Sequence, residues 1–257
     1  MTIAITREIS PRFAECEITH IERAPIDLDL ARAQHHVYVN ALRNLGCDVM
    51  ELPAEPNLPD SVFVEDTAVI LPEVTVITRP GADSRKPETE SIVRALTPLV
   101  KLVHLHEPAT LDGGDVLVLG KKIYIGLSTR SNQAAVDQLN EILSEYGYSV
   151  TGVPLQDCLH LKSAMTRVDD HTLLINKKWV GESYFENFDL IEVDPSEPYA
   201  ANCLPIGDSI IFPKAFPKTC SKLEAKGYKI FPVDVSELAK AEGAVTCCSL
   251  IINVISR

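Results

Sequence analysis

Residues able to act as nucleophile, acid or base fall in separate polar clusters along this chain, each flanked by apolar runs. Cys247 lies in Val245-Thr-Cys-Cys-Ser249, just ahead of the run Leu250-Ile-Ile. A cysteine attacks electrophilic carbon as its thiolate, which a histidine or a positive field stabilises. His160, in Leu159-His-Leu-Lys-Ser163, has the near-neutral intrinsic pKa that lets one side chain protonate a departing amine and later deprotonate water. The alternation around it predicts a strand presenting His160 to one face and Leu159 and Leu161 to the other. Asp112 precedes Gly113-Gly114, where the backbone can turn tightly and a carboxylate could orient the imidazole as a triad's third member does.

Asp60, Glu65 and Asp66 share Pro59-Asp-Ser-Val-Phe-Val-Glu-Asp66 and suit a planar cation with several N–H donors. Residues 62–71 are strongly apolar around Glu65 and Asp66, so these charges need a partner, which a cationic ligand would supply. Arg85 and Arg130 are the converse case: either could hold a substrate carboxylate bidentately or sit in an exposed ion pair.

Judged alone, Cys247 would be assigned to the core, since free cysteine is among the most buried residue types. Cys248 should point to the opposite face if the segment is extended, and pack there. A disulfide between these neighbours would be strained. Of the other histidines, His35 and His36 fall on a predicted helix, and His104 and His106 share a strand face. No further ligand is spaced to complete a zinc site with that pair, so no metal is expected.

Positioning such dispersed residues requires a repeat, and the chain has one. The unit is an amphipathic helix, an apolar strand ending at proline, a polar cluster and a hairpin of apolar strands. Its helix and strand parts read clearly in Ala41 to Pro53, Glu141 to Pro154 and Lys222 to Pro232, with Gly46, Gly147 and Gly227 where a helix end wants a left-handed backbone. Looser copies without the glycine run from Ile92 to Pro108 and through Phe188 to Pro195. The five prolines are spaced by 55, 46, 41 and 37 residues. Five equivalent units around an axis would bring Glu65, Asp112, His160 and Cys247 together; an ordinary mixed α/β fold with polar turns is the alternative.

At 257 residues and 46% hydrophobic content the chain can bury one large core, so residues 1–257 are expected to form a single domain. The formal charge of -12 disfavours nucleic acid or an anionic membrane and attracts small cations. The first fifteen residues carry Arg7, Glu8 and Arg12 without a signal-like apolar core. Seven cysteines without a Cys-x-x-Cys motif argue for reduced thiols and a cytoplasmic location. No phosphate-binding loop competes for the function.

Together, Phe63-Val-Glu-Asp66, Ile77-Thr-Arg-Pro-Gly-Ala82 with Arg85, Leu111-Asp-Gly-Gly-Asp115, Gly126-Leu-Ser-Thr-Arg130 with Asn132, and Leu159-His-Leu-Lys-Ser163 resemble the guanidine-modifying superfamily of penteins. Within it, the match is to the dimethylarginine dimethylaminohydrolases. The resemblance covers essentially the whole chain. It implies a five-bladed β/α propeller with pseudo-fivefold repeats around a central active site, Cys247 as nucleophile, His160 as general acid/base and Asp112 as its supporting carboxylate. Asp60, Glu65 and Asp66 are implied around the guanidinium and amino ends of the substrate, with Arg85 and Arg130 as its contacting arginines. The implied reaction turns Nω-methylated arginine into citrulline and a methylamine through a thiouronium on Cys247, with no metal or organic cofactor, in a monomer or homodimer. Deiminases and amidinotransferases of this fold carry aspartate two residues after the histidine; Lys162 stands there, so the methylated-arginine branch fits better than an arginine or agmatine deiminase. Arg85 and Arg130 likewise favour a carboxylate-bearing substrate over agmatine. A non-catalytic propeller such as the ribosome anti-association factor is a further alternative. It has no need of the coincident cysteine, histidine and carboxylates. The segment 13–26, where a lid is implied, carries no motif that the resemblance places.

Overall fold

The glycines end helices as their positions predict. Helix α1 (Leu28–Asn44) starts at Asp27, whose carboxylate accepts from the Asp29 and Leu30 amides, and Gly46 follows its last turn at φ 89°. Gly147 and Gly227 adopt the same left-handed backbone at 76° and 90°, where a side chain would be strained. The computed structural model describes residues 1–253.

The strands after β1 (Thr2–Arg7) and β2 (Cys47–Leu52) are β3 (Ala68–Ile70), β4 (Thr75–Ile77), β5 (Leu102–His104), β6 (Val116–Leu119), β7 (Lys122–Leu127) and β8 (Ser149–Pro154). They continue as β9 (Met165–Arg167), β10 (Thr172–Ile175), β11 (Asp189–Glu192), β12 (Leu204–Ile206), β13 (Ser209–Pro213), β14 (Lys229–Val233) and β15 (Leu250–Asn253). Four sheets take consecutive strands, β3-β4-β5 through β12-β13-β14, and the fifth is β15-β1-β2, so the two ends of the chain close the ring. In every sheet the middle strand runs antiparallel to one neighbour and parallel to the other.

A parallel pair needs a long crossover connection. Helices α1, α2 (Glu88–Leu96), α3 (Gln133–Ser144) and, after the short α4 (Leu161–Ala164), α5 (Pro217–Ala225) supply four of them. The β9-β10-β11 sheet departs from the expected pattern: one 3-10 turn at Glu182–Tyr184, between β10 and β11, stands where the repeat predicts a helix. Trp179, Val180 and Phe185 bury themselves from this connection against β9 and β10, covering the sheet without a helix. A final short helix, α6 (Ser236–Ala239), packs on α1.

Apolar side chains gather in clusters between helices and sheets. On α3, Ala135, Leu139 and Leu143 repeat every four residues and meet Ile123, Ile125 and Val150, the stripe of a helix lying on a sheet. Each such leucine contributes about 1.5–3 kcal/mol by leaving water. The strands β3, β6, β9, β12 and β15 all border one channel of about 240 Å³, through Val69, Leu117, Thr166, Leu204 and Leu250 respectively. That common border is the fivefold axis. Among the described residues no helix is long and apolar enough to cross a membrane.

Candidate active site

Each polar cluster immediately precedes an inner strand, so the ring brings all five to the same end of the axis. A 3-10 turn at Val64–Thr67 leads into β3 and another at Gly113–Asp115 into β6, while α4 leads into β9. Asn202 precedes β12, and the turn holding Thr246 and Cys247 precedes β15.

His160 is not on a strand, contrary to the expectation from its alternating neighbours. It is the capping residue of α4, with φ -133° and ψ 158°; the apolar Leu161 and Ala164 are buried by a helical turn instead. Its imidazole Nε2 lies 3.2 Å from Asp112 Oδ2. Asp112 is wholly buried and its other oxygen accepts from the Gly81 amide at 2.8 Å. Gly114 lies under the ring, where a Cβ would come within 2.6 Å of Nδ1. The Gly114 amide donates to Asp66 Oδ1 at 2.9 Å.

Cys247 also differs from the extended geometry expected, because 245–248 form a turn. Tyr38, reaching across from α1, donates to Val245 O at 2.8 Å and lies 2.7 Å from Ser249 Oγ, pinning that turn at both ends. The Ala244 amide points at Cys247 Sγ at 3.4 Å. Cys248 is fully buried and packs with Tyr38 and Leu42, as expected. All seven cysteines are unpaired.

Cys247 and His160 line one cavity of about 20 Å³ together with Asp60, Asp66, Arg85 and Arg130. Sequence reasoning missed Glu17, Phe63 and Glu242 on its wall. Residues 16–26, which form neither helix nor strand, cover the mouth. The Glu17 amide is 3.2 Å from both Asp60 oxygens, the Thr19 and His20 amides each donate to Glu242 at 2.7 Å, and Arg130 Nη2 donates to Thr19 Oγ1 at 3.1 Å. This volume holds about one water, so an arginine-sized ligand requires the covering segment to move.

The buried carboxylates find partners inside the chain rather than waiting for a ligand. Asp66 pairs with Arg85 at 2.6 Å, and Arg85 also donates to Glu88 and to the Asp60 and Phe63 carbonyls. Glu65 lies off the wall of the Cys247 cavity. It takes Lys162 Nζ at 2.6 Å and Thr246 Oγ1 at 2.7 Å, forming a partition between that cavity and the axial channel. Asn202 completes the partition, donating to Thr246 Oγ1 and Lys162 O at 3.0 Å and accepting from the Thr246 amide. Its position in the fourth copy of the repeat was the signal that could have found it.

Burial opposes charge on the imidazole, but the carboxylates of Asp66, Asp115 and Asp112 outweigh it and raise His160 to about 9. Burial would likewise raise Asp66, yet Arg85 and His160 bring it down to about 2. The Cys247 thiol is pushed well above its ordinary range, first by burial and then by Glu65 and Asp66. Although the residue is partly exposed, it lines the small cavity beside Asp66, and the direction follows from burial of the thiol and the neighbouring carboxylates. The two shifts favour thiol over thiolate at Cys247 and imidazolium over imidazole at His160. Ligand atoms of Asp66, Asp112 and His160 lie within 4.8 Å of one another, but the carboxylates are already occupied by Arg85, Gly114, Gly81 and the imidazole. His104 and His106 are exposed and belong to no such group among the described residues.

A ring of five strand-and-crossover units with a cysteine, a histidine and carboxylates gathered at one end of its axis is a guanidine-modifying β/α propeller. The chain belongs to the dimethylarginine dimethylaminohydrolase family: the model of N,N dimethylarginine dimethylhydrolase, eukaryotic, matches residues 19–254. It is 40% identical to the N(G),N(G)-dimethylarginine dimethylaminohydrolase of Streptomyces coelicolor over 96% of this chain and 95% of the relative. Identity to the Pseudomonas aeruginosa enzyme of the same name is 37% over 86% and 89%. A cysteine-to-serine mutant of the P. aeruginosa enzyme, solved with citrulline, superposes with a TM-score of 0.93 at 34% identity, covering 97% and 98% of the two chains. A histidine-to-glycine dimethylarginine dimethylaminohydrolase forming an adduct with S-methyl-L-thiocitrulline gives 0.94 at 34%, over 98% and 100%. The N-terminal domain of the arginine dihydrolase ArgZ, at 18% identity and 0.82 over 98% and 97%, shares the fold.

Proposed function

We infer that this chain hydrolyses Nω-methylated arginine to citrulline and a methylamine through a covalent adduct on Cys247. The observation that carries this reading is the shared cavity of Cys247 and His160, with Asp112 hydrogen-bonded to the imidazole. The guanidinium brings its own positive charge against Sγ. That charge opposes the field of Glu65 and Asp66 and favours the thiolate at the moment it is needed.

Cys247 gives up its proton to solvent admitted with the substrate, Sγ attacks the guanidinium carbon, and the tetrahedral adduct collapses by expelling the methylated nitrogen. His160, protonated at neutral pH, gives that nitrogen its proton. An S-alkylthiouronium remains. The now neutral imidazole takes one proton from water as the water adds to the same carbon, and expulsion of the sulfur, which takes the remaining hydroxyl proton and returns to the thiol, leaves the ureido group of citrulline. Asp112 holds the ring and balances its charge in both protonation states.

Arg130, with one hydrogen bond to the covering segment, and Arg85, fixed by its carboxylates, supply positive charge for the substrate carboxylate. Asp60 answers the amino group. Lys162 neutralises Glu65, which supports a substituted guanidinium over the plain one that a second aspartate would grip. The free thiols support a cytoplasmic location.

Purified protein should release citrulline and dimethylamine from asymmetric dimethylarginine, with Cys247→Ser inactive and Cys248→Ser active. Faster turnover of unmodified arginine with ammonia release would replace this reading with a deiminase.

A further inference from the structure

Asp115 is a carboxylate with no exposed surface, one turn beyond Asp112. Neither the sequence motifs nor the reaction steps above give it a task. Both of its oxygens are engaged. Oδ1 accepts from the Leu161 amide at 3.0 Å, and Oδ2 accepts from Ser128 Oγ and Ser131 Oγ, each at 2.6 Å. The Leu161 amide is the first donor of the helix that His160 caps, so this bond fixes the backbone beside the histidine. Ser131 Oγ in turn accepts from the Asp112 amide at 3.1 Å, so the second oxygen reaches the backbone of the carboxylate that holds the imidazole. Gly126 leaves the space this requires, because a Cβ there would stand 2.7 Å from Oδ1.

We propose that Asp115 is a positioning residue for the reaction, holding His160 through Leu161 and Asp112 through Ser131 so that the 3.2 Å contact between them is preset. A buried carboxylate with three hydrogen bonds is costly to keep unless they are all made. Here all three donors belong to segments that carry or flank the site. The charge acts as well as the bonds. His160 is faced by Asp66 from the turn before β3, by Asp112 and Asp115 from the turn before β6, and by Cys247 across the cavity, with Arg130 3.8 Å behind Asp112. Loss of one of these three anions lowers the imidazole pKa and leaves less imidazolium at alkaline pH.

The inference rests on His160 being the acid/base, so His160→Gly is measured beside Asp115→Asn and Ser131→Ala. Asparagine keeps an acceptor for Leu161 but removes the charge and the acceptor for both serines. With asymmetric dimethylarginine, Asp115→Asn should lower kcat by about tenfold or more while KM stays within about threefold, and the alkaline limb of the kcat–pH profile should move to lower pH. Ser131→Ala cuts only the arm to Asp112, so kcat should fall by about threefold or more with the limb in place. If His160→Gly retains full activity, the catalytic reading itself fails. If His160→Gly is inactive while folded Asp115→Asn keeps kcat within about twofold and an unmoved limb, the positioning role is overturned. Should Asp115→Asn not fold, an unchanged kcat in Ser131→Ala overturns it instead.

Discussion

Lys162 Nζ lies 2.6 Å from Glu65 Oε1 at the partition between the Cys247 cavity and the axial channel. Glu65 also accepts from Thr246, whose amide and hydroxyl are both held by Asn202. Lys162 Nζ also donates to Gly113 O at 3.1 Å, so the pair links all five polar clusters in one network. Removing the lysine alone leaves a buried carboxylate with a single hydroxyl donor.

Lys162→Met should destabilise the fold by about 2 kcal/mol, below the value for a fully enclosed pair because the lysine is partly exposed. The double variant Glu65→Gln/Lys162→Met should recover most of it. Urea unfolding of the two single variants and the double variant closes the cycle. Simple addition of the single effects would show that the pair carries no coupling.

The thiol of Cys247 should be unreactive at neutral pH without substrate. Its pKa is raised by burial and by the Glu65 and Asp66 carboxylates, so the thiolate fraction grows only as pH climbs past the ordinary thiol value of about 8.5. Alkylation of Cys247 by iodoacetamide, followed by peptide mass spectrometry, should still be accelerating above about pH 9. A plateau reached near neutrality would mean a preformed thiolate.

His35 makes a separate, measurable contribution to acid sensitivity. Burial and then His36 lower its pKa to about 4, and its Nε2 has no hydrogen-bond partner. Its folded pKa lies below the unfolded value of about 6.5. Stability is therefore complete above that pH, and falls as the unfolded chain takes up a proton that the folded chain refuses. The loss should reach about 3 kcal/mol by about pH 4. The difference in unfolding free energy between wild type and His35→Leu isolates this term from the carboxylates. Parallel pH curves for the two proteins would exclude it.

The ring was legible because its signals are local and repeated: glycine after a helix, apolar strand, proline, polar cluster. Convergence of Asp112, His160 and Cys247 followed from their equivalent addresses. The local conformation of His160 and Cys247 was not legible. Alternation around His160 matches a strand over five residues, and a short capped helix buries the same leucine. Nor could Glu65 be separated from its neighbour Asp66. Both are acids in an apolar run, but a turn sends one to Lys162 and the other to Arg85 beside the cavity. The fourth unit lacked its glycine in the sequence, and its aromatic connection replaces a helix by packing that no periodicity reports. Asp115 was in view as part of a motif, yet its partner Leu161 lies in the next unit and Ser131 beyond the following hairpin, and only the folded ring brings all three together.

The account stands on a carbon-sulfur bond forming at Cys247. Rapid quenching of the wild-type protein during turnover of asymmetric dimethylarginine, followed by intact and peptide mass spectrometry, tests it directly. The account predicts a transient thiouronium mass on the peptide holding Cys247, appearing before citrulline and absent from Cys247→Ser. Citrulline formed at full rate with no adduct at any quench time, or by Cys247→Ser itself, would contradict it.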